Sequence, residues 1–438
     1  MGGPQCWLWG FVRGPHSNTE GQALLFLAAF MYKRMLVRNP EICFERGPMG
    51  TQIIFYNGRW YPASAKPDFL NFEWFTYQHT IHYASAVFEG ARCYENLAKK
   101  DDTLNLIGVD LRVDRFFRSM EYAWLKLPVK ADQTWQTFST NYPDLAAKYK
   151  NVFTGKIKRD AVVQFPYTKA QVREFIIKTI LINLGTGFLK PAQGCYIRPV
   201  AMRGTTANRS LGVFSLGHSA DFLISVKPWG KYLGQEAFEK GAPVVVAQEG
   251  IEEFNRQYKL AANYLTGQRL VNFAAYNQFN EVLLTDKSPQ RNVLEGSGEN
   301  LVFYLGNGKY VSPAQNNKAI LPGTTLKVVD QIIRLTGGEI TYRDIPLNEI
   351  FEGKFLGACM TGTAAEVTPI ALVFDPRINK TVEIPVAKEI KDIQKIYLDL
   401  VQGLEVPTTL KKLQQDLILE LKWNENEHRM LLDTIEKT

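Results

Sequence analysis

Several features that define other classes of protein are scarce in this sequence of 438 residues. It contains 5 cysteines, an odd number, and they are widely spaced without a Cys-X-X-Cys pair. This pattern suits a reducing compartment and argues against a disulfide framework or a zinc ribbon. His79 and His82 form the only close pair of histidines in the sequence, and neither nearby cysteines nor an HEXXH frame accompanies them. We therefore predict no metal site.

Concentrated charge is also missing. The 51 lysine and arginine residues exceed the 44 aspartate and glutamate residues, giving a formal net charge of +7. No run of basic residues concentrates this excess, which argues against a nucleic-acid-binding protein and is compatible with an enzyme that favours anionic substrates. Hydrophobic residues make up 45% of the chain and charged residues 22%, which is typical of a globular protein. At roughly 150 residues per domain, the length predicts two or three domains.

Long hydrophobic runs are the third absence. The apolar stretch at residues 23–32 is shorter than a bilayer-spanning helix, which needs about 20 residues. No small-residue cleavage site follows it, so we expect no secretory signal and no membrane partner. Basic residues outnumber acidic ones before residue 39, a weak resemblance to a mitochondrial transit segment, and an alternative is translation from Met35 or Met49. We interpret residues 1–50 as a non-catalytic extension and expect a cytoplasmic protein, or a mitochondrial one if the extension is a transit segment.

Regular patterns begin at residue 51, and residues 51–227 are predicted to form a small α/β domain. Apolar and polar residues alternate around Asn57-Gly58, the strongest short-range signal for a hairpin. Residues 130–192 are predicted to be a helical insert in this domain. The other predicted elements are strands within Ile81–Tyr94, with a turn at Glu89-Gly90, strands at Tyr196–Met202 and Phe222–Val226, and a helix from Leu111.

A second, larger domain is predicted at residues 241–400, after an interdomain linker at 228–240. Its predicted elements are strands at Ala242–Ala247 and Glu281–Thr285, helices at Asn263–Asn277 and Leu326–Ile333, and a hairpin at Asn300–Val311. Leucines recur on one helical face after Thr408, so residues 401–438 are predicted to be an amphipathic C-terminal helix. The predicted fold class is mixed α and β (α+β) with two domains.

Two segments of this second domain combine glycine with hydroxyl residues. Leu321–Thr325 directly precedes a predicted helix, where unpaired backbone N–H groups and threonine hydroxyls can donate to an anion. In Thr361–Pro369, small residues between hydroxyls allow a ligand to approach the backbone closely. Each segment alone is equally typical of an ordinary helix N-cap. The presence of both in one domain favours a phosphorylated ligand.

A third segment offers an amine and a carboxylate. Lys259 lies among apolar and small residues just ahead of a predicted helix, and loss of solvation there would lower the pKa of its amine. A Schiff-base lysine requires such a shift. Glu295 follows a predicted strand in a glycine-rich stretch and could place its carboxylate against a ring nitrogen. The alternative interpretation is a solvated surface lysine and a turn glutamate.

The motifs occur together in an order that resembles a known family. They are Phe88–Arg92, Tyr196–Pro199, Lys259–Tyr264, Glu295–Asn300, Leu321–Thr325 and Thr361–Pro369. This set resembles the branched-chain amino-acid aminotransferases of the class IV pyridoxal-phosphate enzymes over about residues 52–400. The resemblance implies the two-domain fold type IV architecture, which is D-amino acid aminotransferase-like, with the cofactor between the domains and a homodimer as the assembly.

The resemblance also implies a role for each residue of a cofactor site. Lys259 would hold pyridoxal 5'-phosphate as a Schiff base and move the proton between the substrate Cα and the cofactor. Glu295 would keep the pyridine nitrogen protonated, and Tyr264 would hydrogen-bond the phenolic oxygen of the ring. The phosphate would be bound by Arg115, with help from Thr324, Thr325 and Thr363.

Substrate contacts follow from the same resemblance. The amides of Thr363 and Ala364 would receive the substrate α-carboxylate, and Arg198 would receive the distal carboxylate of glutamate. The side-chain pocket would be walled by Tyr83, Phe88 and Tyr196. The implied activity is a branched-chain-amino-acid transaminase, which converts L-leucine, L-isoleucine and L-valine with 2-oxoglutarate into branched-chain 2-oxo acids and L-glutamate.

This sequence departs from the family pattern in three places. Gln248–Tyr258 is short and acidic, Ala261-Ala262 replaces the usual Gly-Gly, and residues 130–192 are longer than usual. Two other functions therefore stay open beside the branched-chain transaminase. One is another class IV activity, as a D-amino acid aminotransferase or an aminodeoxychorismate lyase. The other is a catalytically silent relative that acts as a binding or scaffold protein.

Overall fold

In this computed structural model the described residues are 50–65, 72–99, 101–127, 134–153, 163–205, 211–251 and 255–436. The predictions made for residues 1–49 lie outside these ranges, as does part of the predicted insert. Within the described ranges, no helix is both long enough and apolar enough to cross a membrane.

The first sheet combines strands from the first half of the chain with one from the C-terminal tail. Its strands are β1 (Ile53–Tyr56), β2 (Arg59–Pro62), β3 (Ala86–Phe88), β4 (Ala91–Glu95), β5 (Leu104–Ile107), β6 (Cys195–Arg203), β7 (Ala220–Pro228) and β16 (Ile418–Leu421). They lie in the order β16-β5-β4-β6-β7-β1-β2, and β3 pairs with β6. The pairings are antiparallel.

The turn predicted at Asn57-Gly58 is confirmed. It joins β1 to β2 in register at Tyr56 and Arg59, with φ of 44° at Asn57 and 96° at Gly58. Positive φ at both central residues is what a type I′ turn requires.

Helices of the first half pack on one face of this sheet or lie in the insert. They are α1 (Phe72–Tyr77), α2 (His79–Tyr83), α3 (Val109–Tyr122), α4 (Thr134–Asn141), α5 (Pro143–Phe153) and α6 (Lys169–Gly185). In α3, Val113, Phe116 and Met120 are buried in the core of this half. Arg112 and Arg115 are also buried in α3, at i and i+3, so the same helix presents two cations on a neighbouring face.

The strand predicted to begin at Ile81 is wrong at its start. Residues His79–Tyr83 form the short helix α2, and β3 begins at Ala86. The helix ends at Ala84, whose φ is 51° and whose N–H donates to the carbonyl of Thr80. A segment this short has too few residues for its period to separate a helical turn from a strand.

The second sheet is mixed rather than purely antiparallel. Its strands are β8 (Ala242–Val246), β9 (Glu281–Leu283), β10 (Asn300–Gly306), β11 (Lys309–Pro313), β12 (Glu339–Arg343), β13 (Gly357–Gly362), β14 (Glu366–Asp375) and β15 (Lys380–Glu383). They lie in the order β12-β11-β10-β13-β14-β8-β9, with β15 beside β14. The predicted hairpin of β10 and β11 is confirmed, and its turn residues Asn307 and Gly308 have φ of 52° and 72°.

Helices of the second half cover this sheet. They are α7 (Gln235–Lys240), α8 (Tyr264–Tyr276), α9 (Thr324–Leu335), α10 (Asn348–Phe351) and α11 (Lys388–Val401). The predicted amphipathic helix is α9, which buries Leu326, Val329 and Ile332. It ends before Gly337, whose φ of 91° suits glycine.

The prediction of one continuous helix at 401–438 is wrong. A helix α12 (Lys411–Leu417) and a helix α13 (Glu425–Glu436) flank strand β16, which pairs antiparallel with β5 of the first sheet. Without β16, β5 would be an edge strand with unpaired backbone groups. Leu417 and Leu421 are buried as the sequence spacing suggested, but they belong to different elements. The domain boundaries themselves remain predictions.

Candidate active site

Segments attached to both sheets line one cleft with a volume of about 810 Å³. Most of the predicted site residues line it, namely Phe88, Arg115, Tyr196, Arg198, Lys259, Tyr264, Thr324, Thr325, Thr363 and Ala364. Glu295 is buried at 3% exposure, and two residues that hydrogen-bond it, Asn300 and Leu321, line the cleft. The fold therefore brings together residues that are widely separated in the chain.

Tyr83 is the exception, since it is not among the residues that line this cleft, and its place in the pocket wall stays a prediction. It lies at the end of α2, is 41% exposed, and its hydroxyl donates to the carbonyl of Leu211. The neighbouring wall positions are taken by Ala84 and Ala86.

Lys259 is anchored through its backbone and aims its amine at a phenol. Its N–H donates to Ser119 Oγ at 3.0 Å, and its carbonyl accepts from the N–H of Phe88 at 3.2 Å. Both partners belong to the first half of the chain, α3 and β3. The amine Nζ lies 2.7 Å from Tyr264 Oη. The segment that carries the lysine is therefore fixed against the other sheet.

The charge state of Lys259 is shifted. Burial and, to a lesser extent, the charge of Arg115 lower the pKa of its amine, Glu89 opposes them, and the resulting pKa is about 8. Burial, with the charge of Glu295, raises the pKa of Tyr264, so its hydroxyl stays protonated. Near neutral pH a small but significant fraction of Lys259 is therefore in the neutral, nucleophilic form, far more than for an ordinary lysine.

Glu295 is held from three sides. Its Oε1 lies 3.0 Å from Arg256 Nε, and its Oε2 accepts from the N–H of Leu321 at 3.1 Å and from Asn300 Nδ2 at 3.3 Å. Burial raises the pKa of this carboxyl, and the positive charges of Arg256 and Lys259 oppose that effect. A fixed, buried carboxylate can hold a cationic or N–H-bearing ring in one orientation.

Arg115 forms a two-pronged ion pair with Glu89. Its Nε and Nη2 donate to the two carboxylate oxygens at 2.7 and 2.9 Å, and its Nη1 donates to the carbonyl of Pro322 at 3.0 Å. Burial alone would raise the pKa of Glu89, but Arg115 outweighs it and the pKa lies below its ordinary value. The last bond places the guanidinium directly beside the turn that begins α9.

The first turn of α9 is a suitable anion site. Helix α9 has 12 residues, and its N-cap Gly323 provides no side chain to bond the free N–H groups. Thr324 and Thr325 are buried at the cleft, and Thr325 Oγ1 has no hydrogen-bond partner among the described residues. A Cβ on Gly323 would clash with Asn300 Oδ1, so the close approach of this turn requires glycine.

The segment Thr361–Pro369 is a hairpin turn between β13 and β14, not a helix N-cap. Gly362 pairs with Glu366, leaving Thr363, Ala364 and Ala365 in the turn. Two arginines of the first half support it. Arg112 Nη2 donates to Thr363 Oγ1 at 3.4 Å, and Arg92 Nη1 donates to the carbonyl of Ala364 at 3.5 Å. The turn is therefore held by cations from the opposite sheet.

A wall of aromatic side chains faces these polar groups. The ring of Tyr196 lies 4.8 Å from that of Trp229, which stacks at 6.1 Å on Tyr232. Arg198 Nη2 donates to Tyr196 Oη at 2.9 Å, and its guanidinium carbon lies 4.4 Å from the centre of the Phe88 ring. The wall therefore combines apolar surface with one half-buried cation.

Several contributing residues escaped the sequence reasoning. Glu89 lies inside the quoted Phe88–Arg92 motif but was read only as a turn. Trp229 and Tyr232 come from the predicted linker, where the aromatic content was the available signal. Arg112 and Arg256 gave no local signal, because their partners Thr363 and Glu295 lie far away in the chain.

Comparison with known proteins agrees with this geometry. Residues 158–373 match the family model for amino-transferase class IV. The branched-chain-amino-acid aminotransferase of Pseudomonas aeruginosa is 26% identical over 328 residues, which cover 74% of this chain and 87% of that protein. The one from Escherichia coli K12 is 24% identical over 333 residues, with the same coverage of 74% and 87%.

Solved structures give the same result for the fold. The branched-chain aminotransferase of the thermophilic archaeon Thermoproteus uzoniensis, crystallised with norvaline, has a TM-score of 0.61 and 21% identity, and the match covers 84% of this chain and 99% of that one. The branched-chain amino acid aminotransferase of Thermobaculum terrenum, in its PLP (holo) form, has a TM-score of 0.60 and 18% identity, with coverage of 85% and 99%.

The fold and the family match define the class of this protein. Its mixed α/β architecture of two sheets is the class IV aminotransferase fold, as the sequence predicted. The resemblance to branched-chain amino-acid aminotransferases is likewise confirmed, since this chain is similar both to the class IV family model and to curated enzymes of that name.

Proposed function

We propose that this enzyme binds pyridoxal 5'-phosphate and catalyses reversible transamination of L-leucine, L-isoleucine and L-valine with 2-oxoglutarate. The observation that carries the proposal is the buried Lys259 amine, 2.7 Å from Tyr264 Oη, in a cleft that also holds an anion site. The PLP form of the Thermobaculum terrenum structure supports the choice of cofactor.

The residues present fit this cofactor at both of its ends. At the phosphate end, the buried Thr325 hydroxyl, which has no partner in the described part of the chain, and the uncapped N-terminus of α9 offer donors beside Arg115. At the ring end, the buried Glu295 carboxylate offers an acceptor for the pyridine nitrogen. When bound, the cofactor supplies an aldehyde for the Schiff base and a ring that stabilises negative charge at the substrate Cα.

Lys259 has two tasks in this proposal. Its amine would hold the cofactor through the cofactor's aldehyde and, when free, would accept the proton from the substrate Cα and return it at the other end of the reaction. The lowered pKa of about 8 suits both tasks, because the amine exchanges protons near neutral pH. Tyr264 orients the amine through its hydroxyl and keeps that hydroxyl protonated.

The α-carboxylate of the substrate is assigned to the turn between β13 and β14. Thr363 and Ala364 line the cleft there, and Arg112 donates to Thr363 Oγ1 at 3.4 Å. A hydroxyl that already accepts a hydrogen bond from a guanidinium has its own proton free to donate to an anion. The turn therefore offers a carboxylate more donors than its two amides alone.

The aromatic wall accounts for two kinds of side chain in one pocket. Phe88, Tyr196 and Trp229 provide apolar surface for the branched chain of leucine, isoleucine or valine. Arg198, held by Tyr196 at the same wall, provides the cation for the distal carboxylate of glutamate. A half-buried guanidinium stacked on a ring keeps an apolar face toward an apolar substrate.

We also propose a homodimer and a cytoplasmic or, if residues 1–50 act as a transit segment, a mitochondrial location. Light scattering of the purified protein tests the first proposal, since a monomer of 49.7 kDa and a dimer differ twofold in mass. Cell fractionation of the full chain and of a chain starting at Met49 tests the second.

A visible absorption spectrum tests the proposed activity. The purified protein should show the Schiff-base band, and L-isoleucine should convert it to the pyridoxamine form while D-alanine should not. Conversion by D-alanine alone would assign the enzyme to the D-amino acid branch instead. Release of pyruvate from aminodeoxychorismate, without a keto-acid acceptor, would identify a lyase. No band after incubation with pyridoxal phosphate would contradict the proposal and leave a binding or scaffold role.

A further inference from the structure

Arg256 lies three residues before Lys259 and reaches the carboxylate that the proposed function assigns to the cofactor ring. Its Nε is 3.0 Å from Glu295 Oε1, and the side chains are only 5% and 4% exposed. Its own N–H donates to the carbonyl of Lys318 at 2.7 Å, which fixes the backbone on which it stands. The ion pair is therefore buried and rigid.

Among the described residues, the hydrogen bonds to the Glu295 carboxylate end on Oε2, so Oε1 can accept from a further donor. A carboxylate has about four lone-pair sites, two on each oxygen. Both sites of Oε2 are used, by Leu321 N–H and Asn300 Nδ2 at 3.1 and 3.3 Å. Oε1 lies 3.0 Å from Arg256 Nε, which is an ion-pair contact. Any further donor, including a ring N–H, must therefore bind the same oxygen that Arg256 already contacts.

The positive charge of Arg256 affects the ionisation of Glu295. Arg256 and Lys259 are cations whose charges lower the pKa of Glu295, while Tyr264 and Glu299 also interact with this carboxylate. Of these two cations, Arg256 lowers the pKa of Glu295 more than Lys259 does. A carboxyl with no such partner takes up a proton when it is buried.

We propose that Arg256 is a positioning residue that keeps Glu295 ionised and turned with Oε1 toward the ring nitrogen of the cofactor. This inference rests on the proposed function, because it assigns Glu295 to that ring. By sharing Oε1, Arg256 also limits how strongly Glu295 attracts the pyridine proton. It therefore acts on the basicity of the ring nitrogen without touching the substrate.

The test compares two ligands for the cofactor-free enzyme. Pyridoxal phosphate and its 1-deaza analogue, in which C–H replaces the ring nitrogen, are titrated into wild type, R256M and R256K at pH 6 and pH 9. The ratio of their dissociation constants reports the Glu295–nitrogen interaction and cancels losses common to both ligands. R269M is the matched control, because Arg269 forms an exposed pair with Glu249 at 2.9 Å.

Wild type should prefer pyridoxal phosphate by a ratio that changes little with pH, and R269M should behave alike. In R256M the ratio should fall about tenfold at pH 6, where Glu295 is protonated, and recover toward pH 9, since one pKa unit corresponds to a factor of ten. R256K should restore most of the wild-type ratio. If R256M does not fold, the neutral double variant R256M/E295Q should bind both ligands almost equally at either pH.

Three results would overturn the inference. The first is an unchanged ratio of dissociation constants in R256M. The second is an equal loss of affinity for both ligands in R256M, which would indicate a merely structural role. The third is a double variant that still prefers pyridoxal phosphate. Failure of the proposed function looks different. In that case wild type itself binds neither ligand and shows no Schiff-base band.

Discussion

Lys259 and Tyr264 place an amine nitrogen and a phenol oxygen 2.7 Å apart at the start of α8. The two residues are separated by a single 3₁₀ turn, Ala261–Asn263, so their contact is set locally. What surrounds the pair is not local, because Phe88 and Ser119 hold the lysine backbone from the other half of the chain. The contact is thus a local feature fixed in place by tertiary structure.

Replacing Lys259 by alanine should abolish the amino-transfer half-reaction. The variant loses both the Schiff-base nitrogen and the proton carrier, so single-turnover conversion of L-isoleucine should fall close to the uncatalysed rate. Borohydride reduction followed by peptide mass mapping checks the assignment, and wild type should carry the phosphopyridoxyl adduct on Lys259. Lys240→Ala, at an exposed lysine of α7, is the control. An adduct on another lysine would contradict the assignment.

The reactivity of Lys259 should depend on pH with a midpoint near 8. Burial lowers the pKa of this amine to about 8, whereas an ordinary lysine titrates near 10.4. The rate of Schiff-base formation by the cofactor-free protein should therefore rise with pH and level off above about 9. Stopped-flow absorbance measures this rate, and a midpoint near 10 would show an ordinary lysine.

The same shift has a consequence for stability. Between pH 8 and about 10.4 the unfolded chain binds the Lys259 proton and the folded chain does not. The contribution of Lys259 to the free energy of unfolding should therefore rise with pH across this window and be least favourable below it. Urea titrations at several pH values give the free energy of unfolding of cofactor-free wild type and of Lys259→Met. Plotted against pH within this window, the two free energies should rise with different slopes, and parallel plots would refute the pKa shift.

Glu89→Gln should destabilise the fold strongly. The substitution leaves the buried guanidinium of Arg115 without its carboxylate, and breaking a buried pair in this way costs about 3–5 kcal/mol. Urea denaturation measures the loss. Glu236→Gln removes an exposed pair with Lys240 and should change stability little. Equal losses in the free energy of unfolding for the two substitutions would show that the buried pair contributes no more to stability than the exposed pair.

Gly323→Ala should weaken cofactor binding. The new Cβ would clash with Asn300 Oδ1, so Asn300 must move and release Glu295 and the carbonyl of Leu321. Unpairing buried groups costs about 1–3 kcal/mol, which corresponds to a loss of roughly 5- to 150-fold in affinity. Gly217→Ala is the control, since a Cβ there meets nothing within 4 Å. Fluorescence titration with pyridoxal phosphate should separate the two variants.

Arg198→Met should raise KM for the dicarboxylic substrate without raising KM for the branched-chain substrate. It removes the cation of the aromatic wall but keeps an apolar side chain of similar length. KM for 2-oxoglutarate should rise by at least about tenfold, because a charged hydrogen bond contributes roughly 1.5–3 kcal/mol. KM for 4-methyl-2-oxopentanoate should change little. A parallel loss for both acceptors would place Arg198 in a structural role instead.

Sequence reasoning succeeded where the signal was local or collected in ordered motifs. Asn57-Gly58 and Asn307-Gly308 form their turns because both positions tolerate positive φ. The order of the motifs around Lys259 and Glu295 predicted a common cleft, and the fold places most of their side chains there.

The predictions from sequence failed where contacts with neighbouring elements determined the local secondary structure. A strand was predicted from Ile81 because strand and short helix look alike over so few residues, and His79–Tyr83 form the helix α2 instead. The spacing of the C-terminal leucines is also typical of a helix, but Ile418–Leu421 pairs with β5 as a strand. Backbone groups left unpaired at a sheet edge outweigh the local preference for a helix.

The sequence by itself thus determined the turns at Asn57-Gly58 and Asn307-Gly308 and the resemblance to the aminotransferases, because these depend on backbone preference and residue type. Only the tertiary structure decided which charges meet. Glu89 joins Arg115, Arg112 joins Thr363 and Arg256 joins Glu295 across distant parts of the chain. Burial makes the loss of a partner costly at each of these arginines, since a charge removed from water must be paired or hydrogen-bonded within the fold.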